Sequence, residues 1–120
     1  MAIGLTFVTP KVIRGYNRKY LGHDYVTDVL SFNFNEVKKP YRSNILTGDV
    51  IICPQVALEN SKLFESSVEK EIVLYIVHGV LHLLGYDDHR KRDIVKMRAK
   101  ESQILSFLEK RYSFDAITRF

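Results

Sequence analysis

The chain has 120 residues, of which 46% are hydrophobic and 27% charged, a balance that suits one modest globular domain over residues 1–120 rather than a disordered chain. Its net charge is +4 with a pI near 9.2, which is compatible with a polyanionic partner, nucleic acid among them, and selects none by itself. A single cysteine, Cys53, excludes an intramolecular disulfide and fits a reducing compartment. The start of the chain lacks the apolar region of a signal peptide and no stretch has the length of a membrane span, so a cytoplasmic protein with no membrane partner is expected.

Ile3 to Val8 reads as a short strand. Thr9-Pro10 then marks a helix start, with threonine as N-cap and proline at the first helical position, and this helix is expected to reach about Leu21 and stop at Gly22. Val29 to Phe34 alternates β-forming residues and reads as a second strand, Glu36 to Asn44 as a polar loop, and Gly48 to Ile52 as a third strand. Cys53, closing the apolar run Val50-Ile51-Ile52, is expected to be a buried structural thiol.

The second half reads as helical. Gln55 to Glu65 is one helix, and Ser66 with Glu69 three residues later has the form of a capping box for the next. From Ile72 to Leu84 the sequence is apolar on every side except for the Tyr75 hydroxyl, His78 and His82, the mark of a buried central helix. Gly85 ends it. Arg90 to Lys110 forms a last amphipathic helix with Ile94, Met97, Ile104, Leu105 and Leu108 on its inner face. The fold expected is α+β, a mixed sheet of three to four strands packed with helices.

The segment His78-Gly79-Val80-Leu81-His82-Leu83-Leu84-Gly85-Tyr86-Asp87-Asp88-His89 holds three of the four histidines of the chain. His78 and His82 are four apart on a helix, so both rings leave one face and can meet one metal ion. Gly85 lets the chain turn back and bring a third ligand, either Asp88 or His89. The pattern H-x-x-x-H-x-x-G-x-x-D has the spacing of an extended zincin motif. The glutamate that serves peptidases as general base after the first histidine is replaced by Gly79. Two unpaired histidines on an otherwise apolar helix would be costly, which favours a metal over a pair of ordinary core residues.

Around this segment, Thr27-Asp28-Val29-Leu30-Ser31-Phe32 and Gly48-Asp49-Val50-Ile51, with Asn17, Tyr20, Gly22 and Asp24 before them, complete a pattern that resembles the YbeY family of single-strand-specific endoribonucleases. The resemblance covers nearly the whole chain from Ile3. It implies a zincin-like metal site on the buried central helix with one Zn2+ ion, ribosomal RNA and the small ribosomal subunit as partners, and roles in ribosomal RNA maturation and ribosome quality control. Three departures stand out. Asp88 occupies the place of the usual third histidine, Leu21 that of an arginine linked to activity in many members, and the strand and helix that usually precede the Ile3 segment are expected to be missing.

The implied chemistry is metal-assisted phosphodiester cleavage on His78, His82 and Asp88, or His89 in its stead, with a coordination position left open for water. Asp87, Asp49 and Asp28 are candidates for acid/base work, each with a turn-bracing or capping alternative. Arg18, Thr27, Asp28 and Arg90 are candidates for holding substrate. A zinc hydrolase of another substrate, such as peptide, and a non-catalytic ribosome assembly factor with structural zinc are the competing readings.

Overall fold

The computed structural model describes residues 2–34 and 47–114; the loop expected over Glu36–Asn44 lies outside them. Three strands, β1 (Ala2–Phe7), β2 (Val29–Asn33) and β3 (Thr47–Ile52), form a mixed sheet in the order β1-β3-β2. The central strand β3 runs parallel to β1 and antiparallel to β2. Side-chain alternation along β3 gives the sheet two apolar faces. Val50 and Ile52 join the cluster of Ile72, Tyr75 and Leu83. Ile51 and Cys53 join Ile13 and Leu30 on the other side.

The second face is covered by α1 (Pro10–Tyr16). Thr9 caps it, its Oγ1 accepting from the Val12 N–H at 3.3 Å, and Pro10 opens it. The helix expected to run regularly to Leu21 widens instead into a π-helical turn, Asn17–Leu21, before Gly22. The cause is Asn17, which is 2% exposed. Its side-chain amide donates to the Tyr25 carbonyl at 3.0 Å, and its own carbonyl accepts from the His23 N–H at 3.3 Å. Both bonds tie the end of the helix to the loop that follows.

Beyond Cys53, α2 (Pro54–Leu63) leads into α3 (Val68–Leu83). The N-cap of α3 is Ser67, whose hydroxyl accepts from the Lys70 N–H at 3.1 Å, and not Ser66 as the capping-box pattern suggested. Ser66 is held by the preceding turn, where its N–H donates to the Ser61 carbonyl at 2.9 Å. The next serine is therefore the one free to cap. On the far side of α3 lies α4 (Lys91–Glu109). Its Met97, Ile104, Leu105 and Leu108 pack on Val73, Val77 and Leu81. Ile94, expected on the same face, is half-buried and lines a cavity beside His78 together with Met97.

Helix α3 is thus enclosed by the sheet on one side and α4 on the other, which explains its apolar circumference. Gly79 sets how closely it sits. A Cβ there would stand 2.6 Å from Val50 Cγ1 and 3.0 Å from Ser31 Oγ, while the Ser31 hydroxyl donates to the Gly79 carbonyl at 2.9 Å. Among the described residues no helix is long and apolar enough to cross a membrane.

Because β3 and β2 close on Gly79 directly, Gly79→Ala is expected to overpack this contact and cost about 1–3 kcal/mol. The check is a lower urea midpoint at unchanged m; an unaltered midpoint would mean that the helix can shift away from the sheet freely.

Candidate metal centre

The last turns of α3 carry the site. His78 and His82, one turn apart, bring their Nε2 atoms to 3.0 Å with ring centroids 4.6 Å apart. The helix then ends in a Schellman arrangement. The Tyr86 N–H donates to the Leu81 carbonyl at 3.0 Å and the Gly85 N–H to the His82 carbonyl at 3.1 Å. Gly85 has φ +99°, a left-handed conformation that glycine adopts without a Cβ penalty. Next, Asp87 braces the turn. Its Oδ1 accepts from the Asp88 N–H at 2.7 Å and the His89 N–H at 3.3 Å.

This turn swings Asp88 back over the helix end. Its Oδ2 lies 3.5 Å from His78 Nε2 and 3.4 Å from His82 Nε2. The three donor atoms form a nearly equilateral triangle. Bonds of ~2.0–2.2 Å to a tetrahedral ion require donor separations of roughly 3.3–3.5 Å; both separations to Asp88 meet this and the 3.0 Å between the imidazoles is a few tenths of an ångström short of it, so the set could hold one first-row divalent cation. His89 points elsewhere: it is 85% exposed and faces Asp87 at 3.4 Å.

Behind His78 stands a residue that the sequence reading missed. Glu101 of α4 places Oε1 3.2 Å from His78 Nδ1, with its side chain 12% exposed. The bond to Glu101 raises the His78 pKa above the ordinary imidazole value; burial opposes the rise, and the charges of Glu101, Asp88 and Asp28 add to it. With Nδ1–H donated to Glu101, the Nε2 lone pair faces Asp88 and His82, the tautomer that a metal ligand needs. A signal was available. Glu101 falls four residues after Met97 and four before Leu105, an acid on the apolar stripe of α4.

Two cavities of about 270 Å³ each flank the triangle. One opens towards β2 and is lined by Thr27, Asp28, Ser31 and Leu21. The other lies between α3 and α4, with Asp28, Met97, Arg98 and Glu101 in its wall. Thr27 and Asp28, the proposed substrate-holding pair, therefore stand in one cavity with His78 and His82. Asp28 Oδ1 accepts from the Val29 N–H at 2.8 Å and lies 3.3 Å from the Thr27 hydroxyl.

The other candidates are not brought to this place. Asp49 stands on the sheet face turned away from α3, since Val50 and Ile52 take the α3 side, and its carboxylate lies against Gly4 of β1. Asp87 serves the turn and lines a separate cleft with Tyr86 and Lys96. Arg18 is exposed and acts on Asp24, which is itself paired with Arg14 at 2.8 Å. Arg90 is the exposed residue at the N-terminal boundary of α4. Neither arginine lines either cavity beside the histidines.

Residues 1–109 match the family model described as "Endoribonuclease YbeY". Curated relatives of that name include one from Finegoldia magna, 43% identical over 86% of this chain and 66% of its own length. Another, from Clostridioides difficile, is 40% identical over 88% of this chain and 71% of its own. The solution structure of TM1509 from Thermotoga maritima superposes with a TM-score of 0.58 at 27% identity, covering 87% of this chain and 65% of that one. The chain thus spans about two thirds of the length of the proteins it matches. By sequence and by fold, it belongs to the YbeY endoribonuclease family.

Proposed function

We propose that the chain is a zinc-dependent endoribonuclease of single-stranded RNA, acting in the cytoplasm on ribosomal RNA of the small subunit during its maturation and quality control. The observation that carries the reading is the convergence of His78 Nε2, His82 Nε2 and Asp88 Oδ2 within 3.0–3.5 Å of one another, in a family described as endoribonucleases. Two nitrogens and one carboxylate oxygen suit zinc.

A divalent ion held there would supply Lewis-acid polarisation of a phosphodiester and of bound water. The side chains do the rest. His78, His82 and Asp88 hold the ion, and Glu101 keeps His78 in the ligating tautomer. Asp28, which lines both cavities, is the carboxylate placed to take or return a proton. Thr27 and Ser31 line the β2 side and can meet the ribose and phosphate of the substrate.

The competing readings lose support on two points. A peptidase of the zincin kind needs a glutamate after the first histidine, and here that position abuts Val50 in the sheet, where no acid could reach substrate. A structural zinc is normally closed off by four protein ligands. Here the described residues bring three together, their side chains are 25–38% exposed, and cavities lie on both sides.

Elemental analysis of chelator-free protein is expected to find one zinc per chain. In His82→Ala, both the metal and cleavage of a single-stranded RNA oligonucleotide are expected to disappear while far-UV circular dichroism is retained. Undiminished cleavage by that variant would overturn the assignment. Asp88→Ala is expected to lose metal affinity and His89→Ala to keep it; the reverse outcome would move the third ligand by one residue. Glu101→Gln is expected to weaken zinc binding about 10–100-fold in a chelator competition, as loss of a ligand's supporting carboxylate does elsewhere.

A further inference from the structure

Three carboxylates surround His78: Asp88 at 3.5 Å, Glu101 at 3.2 Å and, lining both cavities, Asp28. A single divalent ion offsets only part of that charge, so a polyanionic substrate needs a cation nearby. The lining of the cavity on the β2 side includes no lysine or arginine; Leu21 and His23 stand on the wall next to the helical turn. On the opposite side the cavity between α3 and α4 has Arg98 in its wall. Arg98 lies three residues before Glu101, and thus on the same side of α4. Its side chain is exposed and makes no hydrogen bond or ion pair with any described residue. A guanidinium left unpaired beside three acids is available to an incoming anion, and its planar fork matches a phosphate.

We infer that the cavity between α3 and α4 is a nucleotide subsite in which Arg98 binds a phosphate next to the one cleaved. The inference rests on the ribonuclease reading of the same centre and adds the path of the strand. The chain of the substrate crosses the His78–Asp88 edge and continues along α4. Leu74, Ile94 and Met97 supply an apolar floor for a sugar and an unstacked base. Entry of a base into this space requires it to leave a stack, which a paired strand resists.

The test uses the full chain loaded with zinc. Binding of a fluorescein-labelled 2′-O-methyl oligonucleotide, which cannot be cleaved through its 2′ position, is followed by anisotropy across a salt series, and cleavage of the matching RNA by steady-state kinetics. Arg98→Ala is expected to weaken binding about tenfold, to lower the salt slope by about 0.7, and to raise KM far more than it lowers kcat, with zinc content unchanged. Arg98→Lys should recover part of the affinity and Arg98→Glu should lose more. Lys100→Ala, which removes a charge from the same helix outside this cavity, should stay within about twofold of the parent chain. Binding by Arg98→Ala equal to that of the parent, or an equal loss in Lys100→Ala, would overturn the subsite and leave the ribonuclease reading standing. A parent chain that holds zinc but neither binds nor cleaves RNA would overturn both.

Discussion

The contact on which the site depends is the close approach of α3 to the sheet at Gly79. With no side chain at that position, the helix backbone reaches Val50 and accepts the Ser31 hydroxyl. That contact fixes the rotation of α3 about its axis. Once the Gly79 face is against β3 and the Val77–Leu81 face is against α4, the face bearing His78 and His82 has one remaining direction, towards the opening between β2 and α4. The apolar circumference of α3 and the exposure of its two histidines have the same cause.

The position of Asp88, the proposed third ligand, follows from the way the helix ends. Leu81 and His82 carbonyls are closed off by Tyr86 and Gly85, and Asp87 spends its carboxylate on the next two backbone amides. Each bond removes a degree of freedom from the turn that holds Asp88 over the imidazoles. Preorganisation of this kind spares ligand-ordering entropy when an ion binds. The same economy holds for His78, whose ring is already oriented by Glu101 from a different helix.

Packing of α4 therefore has two consequences. Met97 and Leu105 bury apolar surface against α3, and Glu101 between them delivers a carboxylate to His78. Destabilising the helix interface would disturb the proposed metal centre even though α4 contributes none of its three proposed ligands. The walls on the two sides of the histidines differ in charge, with Leu21 and His23 towards β2 and Arg98 towards α4.

Local information in the sequence was sufficient for the features that depend on neighbours a few residues away. The Thr9-Pro10 start, the alternation through Val50-Ile51-Ile52, the i, i+4 histidines and the Gly85 stop are all set by backbone geometry and side-chain periodicity, and each stands in the structure as read. Glu101 reaches His78 across 23 residues of chain, and only the docking of α4 on α3 could bring it there. Asp49 looked as available as Asp28 along the chain; the sheet turned one towards α1's side and the other towards the histidines. Arg18 and Arg90 were near in sequence to the motifs and lie off the cavities, while Arg98 was far and lies on one. Periodicity determines which face of its own element a residue occupies, but which faces meet is decided by how whole elements pack, and the long-range part of the site belongs to that second step.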